Sequence, residues 1–191
     1  MYKGRSMDPR DVSNSFALAL LLGAVGVIGA ALRPSTRAEL SRFAPMIVAV
    51  AAIGATAGSL YFSEIADYLP CTYCWYQRIA MYPLALIVPL AIALRDRSIL
   101  RYSLALGLTG LAFSLYHIQL QLFPDQGSNS CEITSPCTAK WVEAFGFMTI
   151  PQMAGTTFAI IVVVSIIGLR TPPPGVDTMA DDNPSEQTSS V

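Results

Sequence analysis

Ala44-Pro45-Met46-Ile47-Val48-Ala49-Val50-Ala51-Ala52-Ile53-Gly54-Ala55-Thr56-Ala57-Gly58-Ser59-Leu60-Tyr61-Phe62 runs without a single Asp, Glu, Lys or Arg. An apolar helix of about 17–25 residues crosses a hydrocarbon core of roughly 30 Å, so this stretch reads as a membrane span. Phe16–Leu32 and Pro151–Leu169 are likewise free of charge, and Ile99–Phe123 carries only Arg101 near its start. Ile79–Leu94 is short but extends backwards through Cys74, Trp75 and Tyr76. Lipid offers no hydrogen-bond partners, so each span must satisfy its own backbone groups, which a helix does within one segment. The fold class expected is all-α. A four-helix transmembrane bundle occupies residues 44–170, an extra transmembrane helix lies in the extension 1–43, and a tail covers 171–191.

Composition agrees. The chain has 191 residues, 53% apolar and 13% charged, with a net charge of −1. That is one domain's worth of chain with lipid as the solvent for much of it. Its 12 basic residues are scattered rather than clustered, which leaves no footprint for nucleic acid. Thr171–Val191, with Pro172-Pro173-Pro174-Gly175 and several acids, reads as a disordered cytoplasmic tail.

Basic residues set the orientation. Arg33, Arg37 and Arg42 mark one connection, Arg95, Arg97 and Arg101 another, and Arg170 follows the last span. With these in the cytoplasm, Ser63–Arg78 and Pro124–Ile150 face outwards, and their only basic residues are Arg78 and Lys140. Both cysteine pairs then lie on the extracytoplasmic side of a cell membrane, where disulfides persist. Lys3, Arg5 and Arg10 precede the first span, and Gly29-Ala30-Ala31 resembles the end of a signal peptide. Cleavage there would leave Arg33, Arg37 and Arg42 outside, so an uncleaved helix fits the charges better. A translation start at Met46 is the third reading.

The chemistry starts at Pro70-Cys71-Thr72-Tyr73-Cys74. Cysteines at i and i+3 on a first helical turn share a face, and the unpaired N–H groups there stabilise a thiolate. The spacing by itself leaves redox, metal and structural readings open. Cys131 and Cys137 sit in a polar loop segment with Pro136 between them, suited either to a structural staple or to an exchangeable disulfide. Two pairs on one face of one membrane protein make an electron relay by thiol–disulfide exchange. Arg78, one turn beyond Cys74, either stabilises the Cys74 thiolate or hydrogen-bonds a quinone carbonyl, or else anchors the helix at the interface. His117, the sole histidine, is a proton carrier or a core polar residue. Trp75, Tyr76, Tyr82, Trp141, Phe145 and Phe147 suit interface belts, and Trp141–Phe145 suits a short amphipathic surface helix. Gly23, Gly26, Gly29, Gly54 and Gly58 read as close helix packing.

These residues carry a resemblance. Tyr61-Phe62-Ser63-Glu64-Ile65, Pro70-Cys71-Thr72-Tyr73-Cys74-Trp75-Tyr76-Gln77-Arg78-Ile79 and Met81-Tyr82-Pro83 resemble the first redox region of the DsbB family, particularly its BdbC-like branch. His117-Ile118-Gln119-Leu120-Gln121-Leu122-Phe123-Pro124 is similar to the end of its third core helix. Pro136-Cys137 and Phe145-Gly146-Phe147-Met148-Thr149-Ile150-Pro151 resemble its second loop and the entry to its fourth helix.

The resemblance implies a four-helix bundle with a horizontal helix in the second loop, and a quinone-dependent protein disulfide oxidoreductase. It implies catalytic roles for Cys71, Cys74, Cys131 and Cys137, with Arg78 and His117 beside a quinone, either ubiquinone or menaquinone. Cys131 and Cys137 would accept electrons from an extracytoplasmic thioredoxin-like, DsbA-like partner, and Cys71 and Cys74 would pass them to the membrane quinone pool. No metal is expected. The competing readings are a cysteine-ligated metal-binding membrane protein and a structural subunit with two staples. A vitamin K epoxide reductase-like enzyme is mechanistically close, but Arg78 and the Phe145–Pro151 motif point to the DsbB side.

Overall fold

The computed structural model describes residues 8–126, 131 and 135–171. The tail expected from residue 171 onwards therefore lies almost wholly outside the described residues, as do Lys3 and Arg5. Among the described residues five helices are long and apolar enough to cross a membrane: α1 (Pro9–Leu32), α2 (Pro34–Leu60), α3 (Thr72–Ala93), α4 (Ile99–Leu122) and α5 (Ile150–Arg170). Among the described residues there is no strand, only the isolated bridge of Ala144 with Met148. The chain is an all-α polytopic membrane protein.

α2 begins ten residues before the apolar run that signals it, and it continues beyond Leu60 as a π-helical turn, Tyr61–Ile65. Arg33 alone separates α1 from α2. That tight reversal leaves the last carbonyls of α1 without helical donors. Thr36 Oγ1 donates to Ala30 O at 2.8 Å and Arg37 Nε donates to Ala31 O at 2.6 Å, so the first turn of α2 caps the end of α1.

Each of α2, α3, α4 and α5 packs on its two neighbours in a closed ring, and α1 lies outside it against α2 and α5. The shared core contains Ala44, Val48, Leu84, Val88, Leu100, Phe158, Ile161 and Val164. Phe158 fits the notch at Gly110, where an added Cβ would come within 2.2 Å of the ring. Gly107, Gly155 and Gly168 make similar close approaches. These are the packing glycines. Of those expected from sequence, Gly58 alone packs closely, since an added Cβ there would come within 3.0 Å of the Phe16 ring, while one at Gly23, Gly26, Gly29 or Gly54 would meet nothing within 4 Å. The expectation failed because small residues permit close approach without enforcing it, and α1 meets the bundle mainly near its N-terminal half.

The two ends of the bundle differ. At one, Arg97 donates to Ser41 O at 2.9 Å and Ser41 Oγ donates to Thr171 O, tying the start of α2, the α3–α4 turn and the end of α5 together. Arg33, Arg37, Arg42, Arg95, Arg97, Arg101 and Arg170 all belong to this end. At the other, Phe145 N donates to Asn14 Oδ1 at 3.0 Å, joining α1 to the α4–α5 connection. Both cysteine pairs are there.

The amphipathic surface helix expected at Trp141–Phe145 does not form. Phe145 (φ 53°) and Gly146 (φ 77°) reverse the chain, and Ala144 and Met148 exchange backbone hydrogen bonds of 2.9 Å across the turn. Val142, Ala144 and Met148 become buried against Ala17, Phe62 and Met153. Burial of those side chains stabilises a compact turn over a helix lying on the surface.

Candidate active site

Pro70 and Cys71 precede α3, and Cys71 is its N-cap residue: Cys74 N–H donates to Cys71 Sγ at 3.4 Å. The i, i+3 spacing brings Cys71 Sγ and Cys74 Sγ to 3.0 Å, both as free thiols. Cys131 and Cys137 form a disulfide in the α4–α5 connection. The two pairs meet: Cys71, Cys137 and Leu120 form one buried cluster with Cys74, Cys131 and Tyr73 packed on it. Cys71 is 4% exposed and Cys137 1%, whereas Cys131 is half-buried.

His117 connects the pairs. Its Nε2 lies 3.1 Å from Cys137 O and 3.6 Å from Cys71 Sγ. A carbonyl accepts only, so Nε2 carries the hydrogen and shares it with the sulfur. Nδ1 is buried without a partner among the described residues. The hydrogen bond from Cys74, helped by His117 and opposed by burial, brings the Cys71 thiol down to about 4. Cys71 is therefore a thiolate at neutral pH, held by a neighbouring thiol.

Gln121 holds the second loop in register. Thr149 Oγ1 donates to Gln121 Oε1 at 2.8 Å and Gln121 Nε2 donates to Ala139 O at 3.1 Å, so α4, the loop beyond Cys137 and the N-cap of α5 share one clamp. Thr149 also forms a capping box with Gln152.

Cys74 faces the other way, into a cavity of about 480 Å³ with mostly apolar walls from α1, α2, α3 and α5. Arg78, Gln77 and Tyr82 line it too. Arg78 Nε donates to Ser59 Oγ at 3.0 Å and its Nη2 to Ser59 O at 3.2 Å, while Tyr82 OH lies 3.2 Å from the same Oγ. The guanidinium also sits over Trp75 (5.1 Å) and Tyr82 (5.9 Å). Gln77 is buried and its Nε2 donor has no partner among the described residues. A ligand bearing carbonyl oxygens on a flat apolar ring fits this donor set, and its size is ordinary for a small-molecule site.

Sequence reasoning singled out Cys71, Cys74, Arg78, His117, Cys131 and Cys137, and all six lie at this end of the bundle. His117 stands apart from the expectation of a place beside a quinone: it contacts Cys71 and Cys137 and is not part of the cavity wall. Ser59, Gln77 and α1 were missed. Gln77 alone had a signal, an amide one residue before Arg78 within a membrane span.

Cys71, Cys74 and His117 also place three ligand atoms within 4.8 Å of one another. Two thiolates on a tetrahedral zinc at about 2.3 Å stand roughly 3.8 Å apart, and 3.0 Å between these sulfurs is too close for that. The spacing suits closure of a disulfide.

The comparisons agree with one another. The family model for "Disulfide bond formation protein DsbB" matches residues 41–168. The "Probable disulfide formation protein C" of Halalkalibacterium halodurans is 46% identical over 121 residues, covering 62% of this chain and 88% of that protein. The "Disulfide bond formation protein C" of Bacillus subtilis is 41% identical over 115 residues, 60% of this chain and 83% of its own. The "Probable disulfide formation protein" of Oceanobacillus iheyensis is 42% identical over 128 residues, 65% and 88% of the two chains. No solved structure matches.

Proposed function

The chain belongs to the DsbB family and is a multi-pass membrane disulfide oxidoreductase; from that premise we propose that it reoxidises an extracytoplasmic thioredoxin-like, DsbA-like protein and delivers the electrons to a membrane quinone. The single observation that carries this is the placement of the α3 pair. Cys71 touches the cluster of the second disulfide and Cys74 lines the donor-bearing cavity, so one pair links a thiol partner to an acceptor site.

A partner thiolate attacks Cys131 Sγ, the more accessible sulfur of the outer disulfide, and Cys137 leaves as a thiolate. Cys137 attacks Cys71 of an oxidised Cys71–Cys74 pair, and Cys74 leaves. The partner's second thiol resolves the mixed disulfide, so the partner departs oxidised and Cys131 is released. Cys131 then attacks Cys137, which restores the outer disulfide and frees Cys71. The arrangement of a closed Cys131–Cys137 disulfide with Cys71 and Cys74 as free thiols is compatible with the end point of this sequence. A bound quinone would accept two electrons as the Cys71–Cys74 bond closes, with one proton from the Cys74 thiol and one from solvent. Arg78 and Gln77 would hold it by hydrogen bonds to a carbonyl oxygen, donors that favour negative charge there. Ser59 holds the Arg78 fork in place, and His117 steadies the Cys71 thiolate.

Purified protein with a reduced thioredoxin-like donor should reduce a soluble ubiquinone or menaquinone analogue, followed by the quinone's ultraviolet absorbance. No turnover with either class overturns the proposal.

A further inference from the structure

The cavity does not end at Arg78. It continues along the bundle as an apolar groove whose outer wall is α1, the helix that lies wholly outside the residues 41–168 matched by the family. Phe16, Leu20, Gly23 and Val27 line it, a spacing of four, three and four that sets them on one helical face. Facing them are Met46, Val50 and Gly54 of α2. From Phe16 to Val27 the helix rises by roughly 16 Å. Gly23 and Gly54 both border the groove and an added Cβ at either meets nothing within 4 Å, so the space between α1 and α2 is open.

Arg78, Gln77, Tyr82 and Ser59 gather at the end that holds Cys74, Thr157 spends its hydroxyl on Met153 O, and the α1 and α2 walls from Gly23 to Val27 and from Met46 to Gly54 are apolar. We infer that α1 closes a binding subsite for the polyprenyl tail of the electron acceptor, so that the tail runs between α1 and α2 while the ring stays at Cys74. This rests on the quinone reading above and adds the part of the acceptor that the extra helix selects. Phe16, whose ring lies where a Cβ at Gly58 would come within 3.0 Å of it, and Asn14, bonded to Phe145 N, hold the outer end of α1 against the bundle at the ring end of the groove. A lipid acyl chain shares the chemistry of the tail, but no lipid headgroup is needed to satisfy the donors at the closed end.

The test uses the full chain in nanodiscs with a long-tailed quinone carrying a diazirine on its tail. In the wild type the label maps to α1 and α2 peptides and is competed by unlabelled long-tailed quinone, not by added phospholipid or a tailless quinone at equal concentration. Gly23→Leu and Gly54→Leu fill the open space and lower α1 labelling by about tenfold, equivalent to about 1.4 kcal/mol. Gly26→Leu, on α1 but off the groove wall, serves as the control and keeps wild-type labelling. Labelling spread over the lipid-facing surfaces, competition by phospholipid, or an unchanged pattern in both groove variants overturns the inference. Failure of the quinone reading is separate, since wild-type protein would then reduce no quinone of any tail length.

Discussion

Cys71 and Cys74 are three residues apart and meet different neighbours, and their division of labour follows from that. Cys71 lies under His117 and Cys137 with its thiol lowered to about 4. Its thiolate persists from neutral pH downwards and is lost only as pH falls through that value, so the reduced fold is stabilised by it above the ordinary thiol range and loses this towards pH 4. Thiolate absorbance of protein reduced only at the α3 pair should therefore stay flat between about pH 6 and 8, unlike a thiol of ordinary pKa near 8.5; a midpoint near 8 contradicts the arrangement. In the proposed relay Arg78 serves the acceptor side. If its charge-assisted hydrogen bond contributes about 1.5–3 kcal/mol, Arg78→Met lowers quinone-dependent turnover by roughly ten- to a hundredfold, and Arg78→Lys falls between. Exchange between a reduced partner and Cys131–Cys137, followed by gel shift, stays near wild type; if it drops equally, Arg78 serves the fold. Cys71, Cys74 and Arg78 were legible as a cluster because i, i+3 and i+4 spacings at a helix start need no knowledge of the rest of the chain. The contacts of His117 were not, because sequence gives its depth in α4 but not which way the imidazole faces.

At the scale of elements, the second loop is held by a few directed bonds. Thr149→Ala removes the cap of α5 and the donor to Gln121 together, and a lost cap costs about 0.5–2 kcal/mol. The variant should unfold at lower temperature and exchange electrons between the two cysteine pairs more slowly, read by trapping mixed disulfides over time. Unchanged exchange would mean that Cys137 is positioned by the disulfide alone. Helices divide similarly into tight and open contacts. Gly110→Val meets the Phe158 ring, and overpacking of this kind costs about 1–3 kcal/mol, visible as loss of detergent-stable protein. Helix existence was readable from run length, since lipid permits little else. The Trp141–Phe145 segment was not, because its aromatic spacing suits a surface helix while burial of Val142 and Ala144 against α1 and α5 decides the turn.

For the whole molecule, the arginine-rich end and the cysteine-bearing end give an orientation. The cysteines should lie outside the cytoplasm, and an impermeant maleimide should label reduced Cys131 in intact cells; labelling only after lysis reverses the arrangement. The place of α1 could not be read from its sequence, since a span apolar on every side does not declare which flank meets protein. Only three of its residues are buried, so as a free helix it would leave the bundle readily. The single residue Arg33 between α1 and α2 changes that. A tether this short makes re-association an intramolecular event with an effective concentration of order millimolar. Residence of α1 on the bundle is thus a property of chain connectivity more than of contact area, and cutting the backbone at Arg33 would release the helix though every contact were left intact.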